Sequence, residues 1–156
     1  MKPTDDNKIN TLHKELRRRF YQAGLQAQMM NEDNKGGVKE FLNGLTGLAG
    51  FSAFVALEEE KNLFPEIISA APFMIPLFDQ EHEQIKQLGE KICVLADDFE
   101  DAYTNNERMK ILRLIISSFN EWMGKMLQHL FREEMIIEQA FTFETEAPRD
   151  LSLVAA

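Results

Sequence analysis

The residues of this chain that could do chemistry are its histidines and a few carboxylates. His129 and Glu133 stand four residues apart, and a helix places such a pair on one face, about one turn apart, where both can bind one metal ion. The residues found by counting back from Glu133 in steps of four and three are His129, Met126, Trp122, Phe119, Ile115 and Leu112. The polar pair therefore interrupts an otherwise apolar helix face.

All three histidines of the chain, His13, His82 and His129, fall on apolar seams of this kind, each in a different predicted helix. Glu59 and Glu133 also fall on seams, and carboxylates rarely lie in a core unless they are paired or bind a metal. Imidazole and carboxylate ligands together suit iron, manganese or zinc. These five residues are the candidate metal ligands. The alternative is a hydrogen-bonded structural cluster, because single core histidines are commonly structural and acidic runs commonly face solvent.

Four long helices are predicted to position these residues. Apolar side chains recur at alternating spacings of three and four over about 5–31, 38–69, 73–102 and 106–140. Turn-forming residues at 31–37 separate the first two helices, Pro65 is expected to kink or end the second, and an asparagine cap at 104–106 is expected to begin the fourth. Gly44, Gly47 and Gly50 lower the helix propensity of the second helix, so close packing against a neighbouring helix is expected there.

Four such helices joined by short turns predict an all-α fold, an up-down-up-down antiparallel four-helix bundle spanning 1–140. The remaining tail, 141–156, is expected to pack on the bundle or to fray. His13 and His82 lie near the starts of the first and third helices, whereas Glu59 and His129 lie in the last thirds of the second and fourth. Alternating helix directions bring these positions to the same end of the bundle, within one or two turns of a common layer.

Composition limits the function further. A chain of 156 residues with 44% hydrophobic residues is one domain's worth of globular protein, and its net charge of −9 disfavours nucleic acid as a partner. The single cysteine cannot form an internal disulfide, the N-terminus does not resemble a signal peptide, and no apolar run approaches a membrane span. The sequence therefore predicts a cytoplasmic protein without a membrane or nucleic-acid partner. An exposed apolar stripe could form a homodimer, unless Phe141 and Phe143 of the tail cover it.

Three local segments carry a resemblance to a known family. They are the run EEEKNLFP at 58–65, the segment EHEQI at 81–85, and His129 with the acids at 133–134. Together with His13, they resemble the hemerythrin-like, or HHE cation-binding, family over about residues 8–140. Members of that family are four-helix bundles that hold a non-haem, usually di-iron, centre with histidines and bridging carboxylates. Some bind dioxygen, sense it or iron, or act on nitric oxide and peroxide.

The resemblance implies an iron centre, possibly di-iron, with zinc or manganese as other candidates. Its ligands would be His13, Glu59, His82, His129 and Glu133, with the two glutamates as bridges if two ions bind. The chain departs from the family pattern at two positions: Val55 stands where the family has its second-helix histidine, and Lys86 stands where oxygen carriers have a further one.

Three histidines in place of five disfavour reversible oxygen carriage. Hydroxide, water or a further carboxylate would have to complete the coordination, or the site holds one metal or none. The leading hypothesis is binding or sensing of dioxygen, nitric oxide or iron. Two alternatives stay open. Because Val55 cannot bind metal, the chain could be a metal-free helical bundle that acts as an interaction or structural module. It could also be a redox enzyme acting on nitric oxide or peroxide, although the sequence reveals no substrate pocket and an enzyme is the less favoured interpretation.

Overall fold

The computed structural model describes residues 3–30 and 37–145, with side chains described for 8–30 and 37–139. Every regular element within these residues is a helix, as the sequence predicts. The elements are α1 (Pro3–Met29), α2 (Val38–Asn62), α3 (Phe64–Ala70), a 3-10 turn (Pro72–Met74), α4 (Ile75–Asp101) and α5 (Asn105–Thr145). Four of these helices are long and α3 is short, so the described residues form five α-helices where four were expected.

The long helices pack on one another in a closed order, with α1 against α2 and α5, and α4 against α2 and α5. The contacts between α1 and α5 run in opposite directions along the two helices: His13 approaches Glu133, whereas Phe20, two turns later in α1, stacks on Phe119, far earlier in α5. The contacts between α2 and α4 also run in opposite directions: Glu59, late in α2, lies near His82, whereas Ala49, earlier in α2, lies near Gly89, later in α4. Neighbouring long helices are therefore antiparallel wherever these contacts define them.

The predicted seams are the buried faces of these helices. In α5 all seven predicted positions, from Leu112 to Glu133, are buried. In α2 the same spacing of threes and fours predicts six inward positions, and all six are buried: Phe41, Leu45, Leu48, Ser52, Val55 and Glu59. Phe20, Phe41, Phe119 and Trp122 form the aromatic centre of the core through edge-to-face and stacked contacts. Burying such large rings supplies much of the apolar area that holds helices together. The pattern of threes and fours thus decides which side of each helix turns inward.

The second predicted helix is two helices in the structure. Pro65 has no amide hydrogen to donate, and the regular ladder ends at Asn62 before α3 begins at Phe64. Leu63 connects them and donates its amide to the Glu59 carbonyl at 2.8 Å. The interruption lets Leu63, Phe64 and Ile67 pack with Ile9 and Phe78 as a second apolar cluster.

Two predicted helix ends are wrong. The asparagine cap is replaced by Thr104, whose hydroxyl accepts from the Glu107 amide while the Glu107 carboxylate accepts from the Thr104 amide, a capping box. The fourth predicted helix, α5, runs to Thr145 rather than ending near 140. The predicted turn at 31–37 lies, apart from residue 37, outside the described residues, as do the tail beyond 145 and the side chains of Phe141 and Phe143.

The glycines of α2 do not serve close helix packing, contrary to the expectation. A β-carbon built at Gly47 or Gly50 would meet nothing within 4 Å, and one at Gly44 would meet only the end of Gln26. The close approach occurs instead at Gly89 of α4, where a β-carbon would lie 3.3 Å from the Trp122 ring.

Among the described residues, α2 is long and apolar enough to cross a membrane. Core helices of soluble proteins meet the same criterion, so this one helix is weak evidence for a membrane span.

Candidate metal centre

The five residues predicted as metal ligands lie together in the interior. His13, Glu59, His129 and Glu133 are at most 2% exposed, and His82 is 9% exposed. They come from all four long helices: α1 and α4 contribute one histidine each, α2 contributes Glu59, and α5 contributes the pair His129 and Glu133. The structure therefore brings these five residues together in one layer, as the sequence predicts.

The three histidines point the same ring nitrogen, Nε2, at the two carboxylates. His82 Nε2 lies 3.0 Å from Glu59 Oε2 and 3.0 Å from His129 Nε2. His129 Nε2 lies 3.6 Å from Glu59 Oε2 and 3.5 Å from Glu133 Oε1. One potential ligand atom from each of Glu59, His82, His129 and Glu133 lies within 4.8 Å of the other three.

His13 stands on the opposite side of the same carboxylates. Its Nε2 is 2.7 Å from Glu59 Oε1 and 3.5 Å from Glu133 Oε2. Glu59 and Glu133 therefore each direct one oxygen toward His13 and the other toward the pair His82 and His129. The set of five divides into a one-histidine side and a two-histidine side that share both carboxylates.

The other ring nitrogen, Nδ1, of each histidine faces a further carboxylate. His129 Nδ1 is 2.9 Å from Glu81 Oε2, and His82 Nδ1 is 3.1 Å from Glu60 Oε1. His13 Nδ1 is 3.9 Å from Glu134 Oε1, which is too far for a hydrogen bond. A carboxylate at Nδ1 favours the proton on that nitrogen, which leaves the Nε2 lone pair free to bind a metal.

Arginines hold two of these outer carboxylates in place. Arg132 of α5 pairs with Glu81. Arg17 of α1 makes a bidentate ion pair with Glu134, with nitrogen–oxygen distances of 2.5 and 2.7 Å. Such outer partners fix the orientation of metal-binding histidines and increase their basicity. Sequence reasoning did not select these residues. The one available signal was position, since Glu60, Glu81 and Glu134 are each adjacent in sequence to a predicted ligand.

The electrostatics of the cluster favour positive charge at its centre. With Nδ1 protonated on His82 and His129, the two Nε2 lone pairs face each other at 3.0 Å beside two carboxylates, an arrangement that a proton or a metal ion relieves. Burial raises the pKa of Glu133 well above its usual range, and the neighbouring charge of Glu59 adds to the rise. Burial disfavours a charged His129, yet the nearby carboxylates of Glu59 and Glu133 raise its pKa overall.

Glu59 behaves in the opposite way to Glu133. Although burial opposes its ionisation, contacts with His129, His13 and His82 hold its pKa well below the usual range. Both oxygens of Glu133 are buried, and neither has a hydrogen-bond partner among the residues that the structure describes. A buried carboxylate without donors is costly, and coordination of a cation is an established way to satisfy it.

The donor spacing fits a first-row metal ion. Two ligand atoms each about 2.1 Å from an ion and about 90–110° apart are themselves about 3.0–3.4 Å apart. The nitrogen and oxygen atoms around His82 and His129 are 3.0 to 3.6 Å apart. The residues present therefore could hold a metal ion with small side-chain movements.

Val55 is fully buried one turn before Glu59, and its side chain places an apolar wall beside the cluster. It lines a cavity of about 400 Å³ that also reaches Glu59, His82 and His129. Nothing in the spacing of the residues predicts this cavity.

Comparison of the chain with protein-family profiles, with curated proteins and with solved structures gave no match. The family resemblance thus depends on the residues and their arrangement alone.

Proposed function

We propose that this protein is a hemerythrin-like metal-binding protein whose four long helices form an up-down-up-down antiparallel four-helix bundle around an iron centre. The observation that carries the proposal is the buried convergence of Glu59, His82, His129 and Glu133 with ligand atoms within 4.8 Å of one another. Two features support it. Each of these imidazoles has a carboxylate at Nδ1, and within the described ranges no donor forms a hydrogen bond with either oxygen of Glu133.

The proposed centre holds two ions. Glu59 and Glu133 each have one oxygen on the His13 side and one on the side of His82 and His129, which is the arrangement that two bridging carboxylates need. His13 would bind one ion, and His82 and His129 would bind the other. Iron is the proposed metal because mixed imidazole and carboxylate ligands suit it, and manganese or zinc could occupy the same donors.

The proposed role is binding or sensing of a diatomic molecule such as dioxygen or nitric oxide, or of iron itself. A bound iron pair would supply redox chemistry and open coordination positions, since three histidines and two carboxylates do not fill the coordination of two ions. The chain's own residues would hold the metal, orient the imidazoles through Glu60 and Glu81, and keep water away with the apolar wall at Val55.

The experiment measures bound metal and the ultraviolet-visible spectrum of protein purified from iron-supplemented cells. We expect close to two iron ions per chain, with charge-transfer absorption, and loss of both in the His82→Ala/His129→Ala variant. The matched control, Glu83→Ala/Gln128→Ala, changes the exposed sequence neighbours of the same two histidines and should retain metal. Metal far below one ion per chain in the parent protein, with no difference between the two double variants, would refute the proposal.

A second candidate function is a metal-free interaction module, and the buried Val55 favours it. A metal-free module predicts that iron, manganese and zinc leave the thermal midpoint unchanged. The metal-binding proposal predicts a rise, because an ion bound only by the folded chain stabilises it. At a free metal concentration of about 1,000 Kd the stabilisation is about 4 kcal/mol, or roughly 10 °C for a chain of this size.

A further inference from the structure

Two histidines of the cluster share an arrangement with an arginine of their own helix and a carboxylate of a facing helix. On α5, Arg132 follows His129 by about one turn, and Glu81 of α4 contacts both. Glu81 uses one oxygen for each partner, since Oε2 lies 2.9 Å from His129 Nδ1 and Oε1 pairs with Arg132. His129 is therefore connected to a partly exposed arginine through one carboxylate.

The same arrangement recurs around His13, but one contact is missing. On α1, Arg17 follows His13 by one turn, and Glu134 of α5 faces both. Arg17 donates to both oxygens of Glu134, at 2.5 and 2.7 Å. Glu134 Oε1 stays 3.9 Å from His13 Nδ1, where the corresponding distance at His129 is 2.9 Å. The series of histidine, carboxylate and arginine is thus closed at His129 and open at His13.

The gap leaves His13 with an unpaired ring nitrogen in the interior. His13 is fully buried, and its Nδ1 has no hydrogen-bond partner among the described residues. A histidine that binds a metal ion through Nε2 carries its proton on Nδ1 and almost always donates that N–H to an acceptor. A buried N–H without an acceptor is unfavourable. Binding of an ion by His13 therefore requires an acceptor at Nδ1, and Glu134 is the carboxylate that faces it.

Glu134 is free enough to supply that acceptor. Its side chain is 36% exposed, whereas that of Glu81 is 10% exposed, so surrounding atoms restrain Glu134 much less. A carboxylate oxygen has two lone pairs and accepts more than one hydrogen bond. Oε1 of Glu134 can therefore accept from His13 Nδ1 while Arg17 keeps hold of the same carboxylate.

We propose that Glu134 is the positioning residue of His13: it accepts the Nδ1–H when an ion occupies the one-histidine side, and Arg17 keeps it within reach. The inference rests on the proposed metal-binding function and describes how that site is regulated. On the side of His82 and His129, both imidazoles already have acceptors at Nδ1. The side of His13 has one imidazole and must draw its acceptor from the surface. It is therefore the weaker and more readily exchanged of the two positions.

The test is an anaerobic titration of the metal-free protein with Fe²⁺ in competition with a chromophoric chelator. The parent should bind two ions with unequal affinity. Glu134→Ala should weaken the weaker ion about 10–100-fold and leave the tighter ion within about twofold, because loss of an outer partner typically has that effect on the histidine it holds. The effect should disappear in His13→Ala, which keeps only the two-histidine side, whereas Glu81→Ala should still weaken the remaining ion there.

Glu15→Ala is the matched control for the loss of a carboxylate at the edge of α1. The Glu15 side chain is 32% exposed, close to the value for Glu134, and its ion-pair partners are also arginines, Arg18 and Arg19. It should leave the affinity for both ions within about twofold of the parent. Circular dichroism confirms that each variant folds.

Nuclear magnetic resonance of the zinc-loaded protein tests the contact itself. Zinc is diamagnetic and binds imidazole and carboxylate ligands, and the chain has three histidines, so the ring signals are few. At two zinc ions per chain, His13 should carry its proton on Nδ1. In Glu134→Ala that proton should exchange with water at least about tenfold faster, because its acceptor is gone.

The outcomes separate this inference from the function on which it rests. If the parent binds no ion tightly, the metal-binding proposal fails and the role of Glu134 fails with it. If His13→Ala keeps one tight ion, the metal-binding proposal stands. The role of Glu134 alone is then overturned if Glu134→Ala leaves the weaker ion within twofold of the parent, or if it weakens the remaining ion in His13→Ala equally.

Discussion

Replacing Glu81 with alanine tests how the proposed metal centre is held together without changing a predicted ligand. Glu81 is only 8% exposed, accepts a hydrogen bond from His129 Nδ1 at 2.9 Å and forms an ion pair with Arg132. Its loss removes the contact that fixes the ring orientation and tautomer of His129. Nε2 would then carry the proton part of the time, and a protonated Nε2 cannot bind a metal.

The expected loss can be bounded from these contacts. A hydrogen bond to a charged group contributes about 1.5–3 kcal/mol, and loss of an outer partner of a metal-bound histidine typically weakens metal binding about 10–100-fold. Arg132 does not add a buried unpaired charge, because its side chain is 35% exposed and can turn to water. We therefore expect Glu81→Ala to bind metal about 10–100-fold more weakly, or about 1.4–2.7 kcal/mol.

The assay is competition for metal against a chromophoric chelator, with circular dichroism to confirm folding. Glu83→Ala is the matched control: Glu83 lies on the same helix, is exposed, and contacts Gln87 at 2.9 Å rather than a histidine. Its affinity should stay within about twofold of the parent. Affinity of Glu81→Ala within twofold of the parent, while His129→Ala loses metal, would refute the role assigned to Glu81.

Three further predictions concern charge, packing and helix propensity. The folded-state pKa of Glu133 is raised above its ordinary value of about 4.5, so the metal-free protein should lose stability as the pH rises from about 4.5 through the folded-state pKa. Glu133→Gln should make the stability depend less on pH in denaturation measured from pH 4 to 8. An equally steep dependence in the variant would contradict the assignment. Phe119→Ala should cost about 3–5 kcal/mol in urea denaturation, whereas Phe73→Ala, 77% exposed, should cost under about 0.5. Gly47→Ala should raise stability by about 0.5–1 kcal/mol, since its β-carbon would meet nothing, and a loss would show a hidden contact.

The inward faces of the helices could be predicted from the sequence because a helix repeats its faces every three or four residues. His13, His82 and His129 follow that spacing as regularly as the apolar residues around them, and all three are buried. The break near Pro65 could be predicted because proline has no amide hydrogen. The separate helix α3 could not, because its residues continue the same apolar pattern past the break.

The outer carboxylates and the cavity depend on distances between helices, which no single helix encodes. Glu60 and Glu81 each stand next to a predicted ligand, but their contacts with His82 and His129 require side chains from another helix to arrive within about 3 Å. Gly89 looks unremarkable in its seam until Trp122 and Ala49 are placed against it. Likewise, the glycines of α2 suggested close packing because low propensity implies compensation, whereas Gly47 faces open space.

The measurement that tests the central claim most directly is the number of Fe²⁺ ions that the metal-free protein binds per chain at equilibrium under anaerobic conditions. The two-sided arrangement of Glu59 and Glu133 predicts two ions in the parent and one in His13→Ala, which removes the single histidine of one side. Absence of tight binding of iron in the parent protein, with manganese and zinc equally unbound, would contradict a metal centre at this cluster.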